Sequence, residues 1–124
     1  MLSKSRVRVD RLKNRIYLVL EGYHDLAEAL RIKGLYKNAI AECRSGFTVL
    51  VDVSEYQPGP SEVQEVHAEA VQLAASAGVA KVARVVGQVP LGAMQLDRIA
   101  RQKATYPAEH FETVQAAEAF LDRD

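Results

Sequence analysis

The segment that most constrains the fold is Phe47–Val53, which reads FTVLVDV and is almost entirely apolar and β-branched. A strand of this composition turns neither of its faces to water, so the segment predicts a central strand covered on both sides. The remainder of the chain must then supply the layers that cover it.

Strands and helices alternate around that segment. Arg6–Asp10 and Arg15–Leu20 alternate polar with apolar residues and predict an antiparallel hairpin that turns at Leu12–Asn14. The other predicted elements are a helix from Asp25 to Cys43, a helix from Ser61 to Ala77, a strand over Val79–Val86, a helix from Leu91 to Ala104, a short edge strand around His110–Phe111 and a last helix after Thr113. The order β-β-α-β-α-β-α-β-α predicts a single α/β domain over residues 1–124, with a mixed β-sheet and right-handed crossovers.

Local signals place the helix ends and their inward faces. Asp25 with Glu28 and Ser61 with Gln64 have the spacing of capping boxes, which makes Asp25 and Ser61 the expected N-caps, as Thr113 is for the last helix. Gly78 is expected to end the second helix. The residues expected to face the core are Leu26, Leu30, Ala39, Ile40 and Cys43, then Val63, Val66, Ala70, Leu73, Ala74 and Ala77, and last Val114, Ala117, Phe120 and Leu121.

Charge and cysteine usage narrow the function classes. The 124 residues carry 16 basic and 16 acidic side chains, and this balance argues against a protein that binds nucleic acid by neutralising phosphates. Cys43 is the sole cysteine, so zinc-ligand spacing and an internal disulfide are both absent from the sequence. No secretory signal and no apolar run long enough to cross a bilayer is visible, so we expect a cytoplasmic protein without a membrane span.

Four segments together resemble the SpoIIAA-like family of the STAS superfamily, the fold of anti-sigma-factor antagonists and of the cytoplasmic domains of sulfate transporters. They read RVDRLKNRIYLVLEGY, FTVLVDVSEYQPGPSEVQEV, KVARVVGQVPLGAMQLDR and FETVQAAEAFLD, and they span essentially the whole chain. The resemblance implies a regulatory domain that binds other proteins. It also implies the mixed sheet that the order of elements predicts.

The resemblance also indicates a phosphoacceptor. In anti-sigma-factor antagonists, a strand ending in an Asp-Leu-Ser-like triplet leads to an Asp-Ser-Ser-Gly loop, whose first serine opens a helix and is phosphorylated by a partner kinase. Here the triplet is Asp52–Val53–Ser54, and Ser61 falls at the position of that serine. This sequence departs from the pattern on both sides of Ser61, where Pro60 precedes it and Glu62–Val63 follow.

The candidate sites follow from that comparison. Ser61 is the first candidate phosphoacceptor and Ser54 the second, because a helix start suits a phosphate group. Ser61 and Gln64 would equally serve as a structural cap. The candidate docking or pocket loop consists of Asp52, Tyr56, Gln57, Pro58, Gly59 and Pro60.

Catalytic and cofactor motifs are missing from the sequence. It contains no zinc-protease helix, nucleophile elbow, phosphate-binding loop or dinucleotide fingerprint, so we expect no catalytic residues, no cofactor and no enzyme. His24, His67 and His110 fall on three different predicted elements, and none has a second ligand at helical spacing, so we expect no metal site.

Two functions remain open at this point. The first is a protein-interaction module whose partner is a protein such as a kinase or an anti-sigma-like regulator, with a homodimer as a further expectation. The second is a carrier of a small molecule or lipid, which would need an apolar pocket under the proline-rich loop. The residues expected to feed that pocket are Phe47, Leu91, Met94 and Phe111.

Overall fold

A five-stranded sheet organises the computed structural model, which describes residues 5–57, 59–86 and 107–123. The strands are β1 Arg6–Asp10, β2 Arg15–Tyr23, β3 Thr48–Gln57, β4 Lys81–Val85 and β5 Ala108–Phe111. They lie in the order β1-β2-β3-β4-β5, with β1 antiparallel to β2 and every other pair parallel. The prediction of a central strand at Phe47–Val53 is confirmed, because β3 is the middle strand of the sheet.

Helices cover both faces of this sheet. The described helices are α1 Leu26–Ala41, α2 Ser61–Ser76 and α3 Val114–Asp122. The side chain of Asp25 accepts a hydrogen bond from the amide of Glu28 (2.8 Å), and that of Thr113 accepts one from Ala116 (3.2 Å), so these two caps are confirmed. The helix predicted over 91–104 and the loop before it lie outside the described residues.

The core divides between the two faces. One cluster of buried side chains joins the sheet to α1 and α2 and includes Ile16, Leu18, Leu20, Ile32, Tyr36, Ala39, Phe47, Val49, Val53, Tyr56, Ala74, Val79 and Val82. A second cluster joins the other face to α3 and consists of Leu50, Ala83, Val85, Ala117, Phe120 and Leu121. The described helices therefore form a layer on each side of the sheet, which is the α/β architecture expected from the sequence.

Two strands run further than the sequence predicts. β2 continues through Gly22 (φ 70°) to Tyr23, and β3 continues through Ser54 to Gln57, so the prediction that Tyr56 and Gln57 belong to a loop is wrong. The two extensions pair with each other and satisfy their backbone groups in the sheet. A bulge permits this, because Val19 is opposite Asp52 while Glu21 is opposite Glu55, leaving one extra residue in β3.

The inward faces of two helices also differ from the prediction. α1 buries Ala29, Ile32, Tyr36 and Ala39, whereas Leu26 and Leu30 are 39% and 50% exposed. Both stripes have helical spacing, so periodicity alone does not distinguish them. In α3, Val114 is exposed, while Ala117, Phe120 and Leu121 are buried as expected.

Ion pairs around the buried side chain of Arg15 join the first hairpin to the last helix. Arg15, at the amino end of β2, is 3% exposed and donates to Glu118 (3.0 Å), Asp122 (2.9 Å) and the hydroxyl of Thr48 (2.9 Å). Lys13 adds a further pair with Glu118 (3.1 Å). Basic residues near the amino terminus thus meet acidic residues near the carboxyl terminus within one chain. Among the described helices, none is long and apolar enough to span a membrane.

Candidate functional site

The sequence-predicted site lies where β3 ends and α2 begins. Tyr56 and Gln57 are the last residues of β3, Pro58 is outside the described residues, and Gly59 and Pro60 lead directly into α2. Open parallel sheets bind ligands and partners at this edge, where the carboxyl ends of strands meet helix starts. The residues are not equivalent, since Tyr56 is 3% exposed while Gln57 and Pro60 face solvent.

Ser61 is exposed and does not cap its helix. The N-cap of α2 is Pro60, which makes no side-chain capping bond, and Ser61 is the first helical residue. The expected role of Ser61 as an N-cap is therefore wrong. The side chain of Gln64 instead reaches back to the carbonyl of Gly59 (3.2 Å), and the amides of Val63 and Gln64 bond the Pro60 carbonyl, so the backbone closes this turn without the serine hydroxyl.

Ser54 is held by its neighbour Asp52. One carboxylate oxygen of Asp52 accepts bonds from both the amide (3.1 Å) and the hydroxyl (2.7 Å) of Ser54, and both residues are half-buried. The arrangement satisfies the polar groups at the bulge in β3. Because its hydroxyl is engaged, Ser54 is less accessible to a kinase than Ser61.

Beneath the loop, three polar aromatic side chains from three different elements are in mutual contact. His24 follows β2, Tyr56 ends β3 and His67 lies in the second turn of α2. Their ring centroids are 5.1 Å apart for His24–Tyr56 and 5.6 Å for both His24–His67 and Tyr56–His67. All three are buried, with 0%, 3% and 6% of their surface exposed. We call this group the His–Tyr–His cluster.

The cluster leaves three buried polar atoms unsatisfied. Within the described part of the chain, His24 Nδ1, Tyr56 Oη and His67 Nε2 have no hydrogen-bond partner. A buried polar atom without a partner destabilises a fold by about 1–3 kcal/mol, so native proteins rarely keep several together unless something else satisfies them.

Burial sets the protonation of the cluster. It lowers the pKa of His67 to about 4, with a further contribution from the nearby His24, and it raises the pKa of Tyr56 to about 12, assisted by the charge of Tyr23. Burial also lowers the pKa of His24, against the opposing charge of Glu28. Both imidazoles are therefore neutral near pH 7, and each keeps a lone pair.

Hydrogen bonds on its other side fix the His24 ring. Ser5 Oγ lies 2.8 Å from His24 Nε2 and accepts a bond from the amide of Glu21 (2.9 Å). On the loop side, a Cβ added at Gly59 would lie 3.1 Å from Val63 Cγ1 and 3.5 Å from Tyr56 Oη. Glycine therefore lets the loop close directly over the tyrosine hydroxyl.

Sequence reasoning missed this cluster. In the sequence the three histidines fall on three predicted elements and Tyr56 falls in a predicted loop, whereas the structure brings His24 and His67 together on Tyr56. His110, on β5, is exposed and away from them, and Cys43 packs beside the core with its thiol pKa raised by burial. A signal was present, because His67 is flanked by the core residues Val63 and Val66 of its own helix. Across the described ranges, no group of three His, Cys, Asp or Glu side chains is suited to a metal ion.

Of the four residues predicted to feed a pocket under the loop, the two that the structure describes pack elsewhere. Phe47 is 1% exposed in the closed core, Phe111 packs on Phe120 with centroids 5.3 Å apart, and Leu91 and Met94 lie outside the described residues. A cleft of about 330 Å³ occurs elsewhere, on the α3 face of the sheet, lined by Arg6, Val7, Arg8, Tyr17, Leu18, Val19, Leu50, Asp52 and Val114.

Comparison with known proteins supports the fold and does not extend to a function. No protein-family model matches the chain, and no curated protein matches it. A solved structure does: an uncharacterised protein of the DUF3478 family from Shewanella loihica PV-4, described as having a SpoIIAA-like fold. It superposes with a TM-score of 0.75 at 14% sequence identity, over 98% of this chain and 96% of that one. The chain therefore has a SpoIIAA-like fold, as the sequence resemblance implies.

Proposed function

We propose that this chain is a non-enzymatic STAS-like regulatory module that binds a protein partner and is gated by phosphorylation of Ser61. Its docking face would consist of the end of β3, the loop through Pro60 and the first turn of α2. The observation that carries the proposal is that Ser61 is exposed at the first position of α2 while taking no part in capping it.

A phosphate at Ser61 fits the local electrostatics. The first turn of a helix presents free amide groups and the positive end of the helix dipole, both of which favour an anion. Phosphorylation would add close to two negative charges to a surface that already carries Glu62. A partner that binds the unmodified docking face would be repelled or released by the added negative charge. A single phosphate could therefore control docking. The modifying partner would be a kinase, and the docking partner an anti-sigma-like regulator or another protein.

The test compares two serines on one helix. Ser76 is also exposed and lies at the opposite end of α2, so Ser76→Glu adds the same charge to the same helix away from the docking face. Tagged wild type, Ser61→Ala, Ser61→Glu and Ser76→Glu would be used as baits in lysate of the native host, with bound proteins quantified by mass spectrometry. Intact-mass measurement of the wild type would report a phosphate directly.

The proposal expects a protein that the wild type and Ser61→Ala retain, that Ser61→Glu loses, and that Ser76→Glu retains. Enrichment of no protein above the tag alone would remove the docking part of the proposal. Identical retention by Ser61→Glu and Ser76→Glu would remove the gate at Ser61.

Carriage of a small molecule or lipid is the alternative, and the cleft on the α3 face of the sheet is the observation that favours it. Its floor includes Tyr17, Val19 and Leu50, and it is open to solvent on one side. Native mass spectrometry of the protein purified from its host would distinguish the two, since a carrier would retain a bound compound and a docking module would be bare polypeptide.

A further inference from the structure

We propose that the His–Tyr–His cluster is a binding site for a divalent first-row transition metal such as Zn²⁺, held by His24 Nδ1, Tyr56 Oη and His67 Nε2. The inference is independent of Ser61 and of protein docking. It starts from the three buried atoms without partners, which are the same three atoms that would bind the ion.

The donor atoms suit this class of metal. Neutral imidazole nitrogens are the usual protein ligands of zinc, copper and nickel, and an oxygen donor completes many such sites. Three protein ligands leave a fourth position for water, as in open zinc sites. The third donor is a tyrosine, so the site differs from a group of three His, Cys, Asp or Glu ligands, of which the described residues hold none.

Ring geometry agrees with a shared ion. With Zn–N distances of about 2.0–2.1 Å and tetrahedral angles, two imidazoles on one ion have centroids about 5 Å apart. The observed separation of His24 and His67 is 5.6 Å. The two rings are thus about 0.6 Å further apart than two imidazoles that share a zinc ion.

The hydrogen bond between Ser5 and His24 is of the kind that orients metal-binding histidines. Such histidines nearly always use their second nitrogen in a hydrogen bond that fixes the ring and directs the first nitrogen at the metal. Here Ser5 Oγ lies 2.8 Å from Nε2 of His24 and accepts a bond from the amide of Glu21, and Nδ1 is the ring nitrogen left without a partner.

Proton balance gives the site a distinctive signature. The two imidazoles already carry lone pairs near neutral pH, but the buried phenol holds its proton, so Zn–O bond formation must release one proton from Tyr56 to solvent. The bound ion compensates the phenolate charge in the core. Its coordination would also tie β2, β3 and α2 together beneath the loop.

The experiment titrates chelator-treated, tag-free full-length protein with Zn²⁺ by calorimetry, in two buffers that differ in ionisation enthalpy, and with Co²⁺ by visible absorption. The proposal expects saturable binding of one ion per chain, release of a proton and the absorption bands of tetrahedral Co²⁺. Tyr56→Phe removes one oxygen atom and keeps the ring, so it should bind at least about tenfold more weakly and release one proton fewer than the wild type.

Further variants separate the site from the rest of the chain. His67→Gln should abolish saturable binding, and Ser5→Ala should weaken it by about 10–100-fold through loss of the hydrogen bond to His24. His110→Gln, which removes the exposed histidine on β5, should leave binding unchanged. Circular dichroism would confirm that each variant is folded. If His67→Gln does not fold, Tyr56→Phe still tests the site. Absence of saturable binding in the wild type, or loss of binding in His110→Gln with retention in Tyr56→Phe, would overturn the proposal and leave buried water as the partner of the cluster.

Discussion

Acid should destabilise the metal-free protein through His67. The pKa of this residue falls from 6.5 in the unfolded chain to about 4 in the folded one, mainly because the ring is buried. A group whose folded pKa is lowered contributes its full stability above the unfolded pKa and loses it as the pH falls from 6.5 towards 4. With 1.36 kcal/mol per pKa unit, the whole effect is about 3 kcal/mol. About 2 kcal/mol of it should be lost by about pH 5.

The assay is urea unfolding of wild type and His67→Leu at about pH 7.5 and about pH 5, in the presence of a chelator. A loss of 2 kcal/mol corresponds to a decrease of about 1 M in the urea midpoint for a domain of this size. The decrease should be smaller in His67→Leu, which lacks the imidazole of His67 and keeps only that of His24 in the cluster. His110→Gln serves as the control, because its cluster is intact and it should keep the decrease of the wild type. If wild type and His67→Leu lost equal stability on acidification, burial of a neutral His67 would be refuted.

Three further predictions concern stability, each read as a change in the free energy of unfolding from urea curves. Arg15→Met leaves the carboxylate of Glu118 without its buried partner and should lower the free energy of unfolding by about 2 kcal/mol. This is less than the roughly 3–5 kcal/mol lost when a fully buried pair is broken, because Glu118 is partly exposed. A loss under about 0.5 kcal/mol, typical of surface pairs, would contradict the role of Arg15 in holding α3. Phe47→Ala removes a ring that is 1% exposed and should lower stability by about 3–5 kcal/mol, and a smaller loss would mean that the core collapses into the space. Gly78→Ala forces alanine to a φ of 87° and should lower stability by about 1–2 kcal/mol. Its new Cβ would also lie 2.5 Å from Ser45 Oγ, so full rescue by Ser45→Gly would show that crowding, and not backbone conformation, is responsible.

Much of the fold could be predicted because it depends on signals local in sequence. The apolar run at Phe47–Val53 marks the middle strand, and Asp25 and Thr113 mark helix starts through bonds to amides three residues later. The inward face of α1 could not be read in the same way. Leu26 and Leu30 are the larger apolar residues, but which stripe of a helix is buried depends on how closely it can approach its neighbours.

Only part of the candidate site could be predicted from the sequence, because the rest depends on contacts between distant residues. Ser61 is found by counting along the chain from Asp52. The contact between His24, Tyr56 and His67 is made by residues far apart in sequence and depends on the bulge that carries β3 on to Gln57. The alternation of polar and apolar residues does not reveal an extra residue in one strand. The end of β3 is therefore predicted as a loop.

The bulge between Val19 and Glu21 has a consequence for how this gene can change. Side chains alternate along a strand, yet Val53 and Tyr56, three positions apart, are buried in the same cluster because of the extra residue. Deleting the extra residue, for example Ser54, would leave Tyr56 two positions after Val53, so Tyr56 would keep its face of the sheet and Glu21 would still be opposite Glu55. The length of β3 can therefore change by one residue at this point without altering which side chains of the following residues reach the core, whereas a strand without a bulge would reverse its faces on losing a residue.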